Sequence, residues 1–253
     1  MYNPTFLPSG SRSKHRYPIS FQEQLGDESS IKAAPTSIRL PEFSRGDRDT
    51  QVASTKHFTG GIVFGDGHGV RIGTESHLEM NASLLLAARP STLDLREQVL
   101  FNWYDARGEY FVHYIDLVST EHNDQMIGHA VRPMQRVSDK YLQRLARIKE
   151  QAVNQGFLDD FRLFTELDVC PIELFNAKLI HSVRRPDCFA DPVLADVVAS
   201  TVGVTTVDAL VGQSGLGGMG FRAVVRLIRS GHLQMMRHER IEHASEVFRA
   251  GVL

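Results

Sequence analysis

The sequence predicts an α/β fold around a mixed central sheet, followed by a smaller, mostly helical C-terminal unit. Three observations lead there. Between residues 57 and 170, stretches of helical period alternate with runs rich in β-branched and aromatic residues, in the order helix, hairpin, strand, helix, strand. After Arg184-Arg185-Pro186 the texture changes to successive short helical segments. The 253 residues, 42% apolar and 23% charged, have an ordinary globular balance and suffice for one large or two small cores. A formal charge of −2 excludes bulk basicity, so any contact with nucleic acid must come from local clusters. Cys170 and Cys188 fit no metal spacing and no disulfide framework, and read as thiols in a reducing compartment. No run approaches the roughly 20 apolar residues of a membrane span, and the N-terminus lacks the apolar core of a secretory signal.

Residues 1–56 are polar, with scattered prolines and recurring cations (Arg12, Lys14, Arg16, Lys32, Arg39, Arg45, Arg48). Such a stretch buries too little to offset its ordering entropy and is expected to be a flexible arm, ordering on a partner or simply solvated. From His57 to Ile72 glycines alternate with β-branched and aromatic residues, which predicts a hairpin or a mobile glycine-rich flap. Leu78, Ala82, Leu85 and Leu86 give Glu75–Ala88 a helical spacing that Pro90 ends. Glu75 and Glu79, four apart, share one face of that helix. Residues 98–103 and 110–118 read as strands about a turn at Asp105–Gly108, and 126–131 as a third strand. A helix over 139–151 and a strand over 161–167 complete the core.

Cleavage of a phosphodiester requires neutralised charge on the attacking and leaving oxygens, which divalent metals supply. Magnesium takes one or two protein carboxylates alongside phosphate and water. Asp116, near the end of a strand, and Glu79, on the preceding helix, can supply that pair. Arg132 lies two residues past Ala130, on the same face, and can steady a phosphate.

These residues resemble the PD-(D/E)XK nuclease superfamily and, within it, the TnsA endonuclease family of cut-and-paste transposons. Ser76-His77-Leu78-Glu79 resembles the family's Ser-x-Leu-Glu helix, Glu97-Gln98 its Glu-Gln pair before a strand, and Asp116 its aspartate ending an apolar strand. Ala130-Val131-Arg132-Pro133 stands at its Gln/Glu-Val-Lys-Pro strand, and Thr165-Glu166 and Asn176 resemble its closing segment. The resemblance, over roughly residues 57–250, implies a restriction-endonuclease-like sandwich and metal ligation (Mg2+ or Mn2+) by Glu79 and Asp116. It also implies nicking of transposon ends beside a DDE-type transposase and an AAA+ ATPase regulator, in a bacterial cytoplasm. Two departures matter. Ala130 removes a Gln or Glu of the metal site, and Arg132 replaces a lysine, keeping the charge but not the ability to act as a base. Glu75 and His129 are the residues that can compensate. The alternative reading is a nuclease fold without catalysis, serving DNA binding or assembly. His113, His122 and His129 show no tight ligand spacing and read as surface or core-edge histidines rather than a zinc site.

In residues 186–253, helices are expected at 191–200, 206–213 (capped by Thr205 or Thr206) and 220–230, then a short strand at 231–235 entering a wing. Phe221, Val224, Val225 and Ile228 fall on the inner stripe of the third helix, and Arg222, Arg226 and Arg229 on the outer. This is the pattern of a winged helix-turn-helix, and the three arginines are its candidate DNA contacts. Gly215 to Gly220 also spell G-x-G-x-x-G, but helical period precedes it where a dinucleotide site needs a strand.

Overall fold

The computed structural model describes residues 39–50 and 58–251. The glycine-rich stretch is an antiparallel hairpin, β1 (Gly60–Phe64) and β2 (Val70–Thr74). It turns through Gly65 and Gly69, both at positive φ. Ser76 then caps α1 (His77–Ala88), its hydroxyl accepting from the Glu79 amide at 3.1 Å.

The central sheet has the order β3-β4-β5-β6. Its strands are β3 (Thr92–Tyr104), β4 (Tyr110–Glu121), β5 (Met126–Val131) and β6 (Asp160–Phe164). The first three are antiparallel meander neighbours, and β6 joins parallel to β5 across α2 (Asp139–Asn154), which makes the sheet mixed as expected. The strand beginning at Thr92 is longer than the apolar run at 98–103. Its first half alternates polar residues with Leu95 and Glu97, both buried.

Each face of the sheet has its own core. Tyr141, Leu145, Ile148 and Ala152 of α2 pack on Val99, Phe101, Trp103, Ile115, Val118 and Ala130. On the other face α1 and the hairpin pack on Leu95, Leu117 and Phe164, joined by Ala177 of α3 (Pro171–Ser182).

The C-terminal segment contains α4 (Ala190–Ser200), α5 (Val207–Ser214) and α6 (Gly218–Arg229). A three-stranded antiparallel sheet accompanies them, ordered β7 (Val204–Thr206), β9 (Glu246–Arg249), β8 (Leu233–Met235). Leu194, Leu210, Val224, Leu233 and Val247 form its core. The G-x-G-x-x-G stretch is the α5–α6 turn, with Gly215 at φ 68° capping α5. A helix precedes it, so the strand–turn–helix of a dinucleotide site is missing.

Residues from Arg39 onward belong to one compact unit, and hydrogen bonds cross the expected boundary at 185/186. Arg226 donates to Asp191 and to the Val183 carbonyl, Arg229 to the Ala87 carbonyl at 2.8 Å, and Asn176 to the Glu239 carbonyl at 2.9 Å. The expected flexible arm needs correction at its described end. Residues 45–48 run along the free edge of β3: the Asp47 amide donates to the Gln98 carbonyl, and the Leu100 amide to the Asp47 carboxylate at 2.8 Å. Covering an otherwise open strand edge is what holds this polar stretch in place. The rest of the expected arm lies outside the described residues. Among the described residues, no helix is long and apolar enough to cross a membrane.

Candidate acidic site

The site forms where the central sheet breaks its own alternation. Leu95 packs on the α1 side, yet Val99, four residues on, packs on the α2 side; Leu117 and Ile115 differ in the same way. An even spacing keeps residues on one face of a regular strand. The switch falls at Gln98, which is buried at φ 51°, and at Asp116, the residue opposite it in the register. At the same level β4 and β5 part. Their pairing ends at Leu117–His129, although β5 continues beside β6 to Val131. The Asp116 carboxylate fills the gap, accepting the Val131 amide at 2.7 Å.

Burial pushes the Asp116 carboxyl up to about 7, and the negative charges of Glu79 and Glu75 push the same way. The Val131 amide and Arg48 act against them. Glu79 is raised too, mainly by burial. Its two oxygens accept the Glu75 amide at 2.7 Å and the Ser76 hydroxyl at 2.8 Å, so it belongs to the N-terminal cap of α1 as well. The structure thus brings the electrostatic fields of Glu79 and Asp116 together, from a helix and a strand distant in the chain.

The cation among them is Arg48. It pairs with Glu75 at 2.9 Å, donates twice to Gln98 Oε1 at 2.7 and 3.1 Å, and lies over the Tyr114 ring at 5.4 Å. Sequence reading placed it among the arm's scattered cations. No local signal could have found it, since its partners lie 27 and 50 residues away.

Arg132, the expected cation, has partners of its own, on the ring of a tyrosine that also feels the Asp116 charge. It follows the end of β5, donates to the Arg136 carbonyl at 2.7 Å, and stacks on Tyr141 of α2 at 4.3 Å. Ala130 is part of the apolar core beneath α2 and contributes no ligand atom. Of the two residues expected to compensate, Glu75 joins the cluster through Arg48. His129 does not: its ring lies 3.1 Å from the buried Ser119 hydroxyl, and burial holds its pKa at about 4.

A divalent cation suits these groups on two grounds. Asp116 is raised chiefly by burial, and the charges of Glu79 and Glu75 add to it. Glu97, adjacent to Gln98, is 1% exposed and uses one oxygen for the Gly73 amide and Ser44 hydroxyl, while its Oε2 has no partner among the described residues. Buried orphans of this kind usually have an ion or a water.

The three candidate DNA contacts separate. Arg222 is exposed. Arg226 is tied to Asp191 and Val183, and Arg229 reaches the Ala87 carbonyl with its guanidinium partly desolvated. Two of the three are therefore internal ties, Arg226 to the start of α4 and Arg229 to the end of α1, while Arg222 faces solvent. Thr165 and Asp168 cap a short turn, and Glu166 within it accepts the Met134 amide at 2.8 Å.

No protein-family model matches the chain, and no curated protein matches it.

Proposed function

We propose that this chain is a divalent-metal-dependent DNA endonuclease of the PD-(D/E)XK kind, similar to the TnsA family, acting at transposon ends with a partner transposase. The observation that supports it is the cluster at the sheet break: Asp116, raised to about 7, beside Glu79 and Glu75, with one guanidinium among them. A buried cluster of acids beside a cation suits a metal ion and a phosphate together.

In this reading Asp116 and Glu79 hold Mg2+ or Mn2+. When bound, the ion supplies charge neutralisation and an acidified water. Arg48 takes the place in function that the family gives its lysine, steadying charge on the scissile phosphate; as an arginine it moves no proton. Ser76 and the Glu75 amide orient Glu79, and the Val131 amide orients Asp116. In the bacterial setting the family implies, the chain works in the cytoplasm, on the nucleoid when bound to DNA. The three helices and the β7-β9-β8 sheet support a winged-helix reading of the C-terminal segment. With Arg226 and Arg229 turned inward, that segment suits a protein partner such as an AAA+ regulator better than a DNA groove.

A second reading has observations of its own: Glu79 spends both oxygens on the α1 cap, Ala130 is apolar, and Arg132 is committed to Tyr141. These favour a nuclease fold retained for assembly. Nicking of supercoiled plasmid carrying transposon ends, with Mg2+ or Mn2+ and with the partner transposase present or omitted, separates the two. Metal-dependent nicks that vanish in Asp116→Ala and Glu79→Ala are expected. Identical behaviour of wild type and Asp116→Ala under every condition leaves only the assembly reading.

A further inference from the structure

A second group of donors is built from other elements than those that carry the acids. Cys170 caps the start of α3, Glu173 sits in the first turn of that helix, and His238 belongs to the loop between β8 and β9. Their donor atoms all fall within 4.8 Å of one another. The Cys170 Sγ–His238 Nε2 separation is 3.7 Å, and His238 Nε2–Glu173 Oε1 is 3.5 Å. An ion held tetrahedrally at about 2.3 Å from sulfur and about 2.0–2.2 Å from nitrogen or oxygen sets its donors roughly 3.4–3.6 Å apart. Two edges of the triangle thus have nearly the length that a shared metal requires.

We infer that Cys170, Glu173 and His238 form a binding site for a zinc-class transition metal, three protein ligands and a water, clasping α3 to the β8–β9 loop. The donor set fits the class: thiolate and imidazole select zinc over magnesium, and a carboxylate completes a common mixed set. Plain surface pairing is the competing account of the His238–Glu173 contact. It gives no reason for a cysteine to complete the triangle, and an exposed pair contributes little by itself.

The surroundings indicate what the clasp does. The same loop is already docked on α3 by Asn176, which donates to the Glu239 carbonyl and accepts from the Ile241 amide, and by Arg240 over Phe175 at 4.6 Å. Metal at His238 adds a third tie, so the site is structural, fixing the segment that a partner of the C-terminal unit would meet.

The full-length protein is titrated with Zn2+ against a chromophoric chelator, and separately with Co2+, read by its absorption. Wild type should take up one equivalent, with a thiolate-to-cobalt charge-transfer band. Cys170→Ser and His238→Ala should each weaken binding by more than the roughly 10–100-fold that loss of a supporting contact costs, and Zn2+ should raise the Tm of wild type but not of these two variants. Cys188→Ser and Asp116→Ala should bind zinc as wild type does, which separates this site from the acidic one. Circular dichroism confirms that the variants are folded. Equal zinc uptake by wild type and the Cys170→Ser/His238→Ala double variant, or a cobalt spectrum without the thiolate band, overturns the proposal.

Discussion

Arg48 decides more about the acidic site than either acid alone, because its two hydrogen bonds to Gln98 and its ion pair with Glu75 set where positive charge can sit. Arg48→Ala should lower the nicking rate at least tenfold, whereas Arg48→Lys should retain part of it, as charge survives but the two-pronged fork does not. Arg132→Lys should change the rate little, since Arg132 is spent on Tyr141 and the Arg136 carbonyl. Rates in the opposite order would return the role to Arg132. Pattern reading proposes Glu79 at a helix start and Asp116 near the end of an apolar run, although β4 continues past Asp116 to Glu121. Arg48 escapes it, since a polar arm looks the same whether or not it lies on a strand edge. The thiol, carboxylate and imidazole of the second site escape for a related reason: Cys170 and His238 are 68 residues apart.

Among the elements, β3 carries the strain that makes the site. A buried glutamine at φ 51° in mid-strand is uncommon, and there it directs its carbonyl to Asp47 and its amide oxygen to Arg48. Gln98→Val should cost about 2 kcal/mol in urea unfolding, since a β-branched residue resists that conformation. Gln98→Gly tolerates the backbone and tests the side chain alone: stability near wild type with a slower nicking rate. The ties of α6 make a separate prediction. Arg226→Ala should destabilise by roughly 2–3 kcal/mol, short of a wholly buried pair because Asp191 keeps 29% exposure. It should leave the salt dependence of DNA binding unchanged, while Arg222→Glu alters that slope if α6 meets phosphate at all. Helices with one apolar stripe, such as α2, were legible from periodicity. α3 was not, because its apolar residues are spread between α1 and the C-terminal segment, where Ile180 packs with Val225 and Ile241. The three-residue β7 and the four-residue β9 are too short for alternation to register.

At the scale of the whole molecule, opposing titrations tie stability to pH and to metal. Burial holds His113 and His129 at about 4, below the ordinary 6.5, so the folded protein binds fewer protons than the unfolded chain between those values. Their contribution is complete above pH 6.5 and is lost as pH falls toward 4. Asp116 has the opposite sign. Its folded value of about 7 lies above the ordinary 3.8, so it favours the folded state below pH 3.8 and that benefit disappears as pH rises through 7. Two histidines outweigh one aspartate, and wild type should lose stability on acidification from pH 6.5 to 4. Asp116→Asn removes the opposing contribution. It should be more stable than wild type at pH 7.5 by on the order of 2 kcal/mol and should lose stability more steeply on acidification. Added Mg2+ should narrow the gap at pH 7.5 by stabilising wild type alone, by about 2.7 kcal/mol at a hundredfold excess over Kd, and should do less at pH 5.5, where Asp116 is protonated. Thermal unfolding at the two pH values, with and without Mg2+, reads all of these differences. Equal magnesium stabilisation of wild type and Asp116→Asn would mean that the ion binds somewhere other than the break in the sheet, and the acids there would then owe their convergence to packing alone.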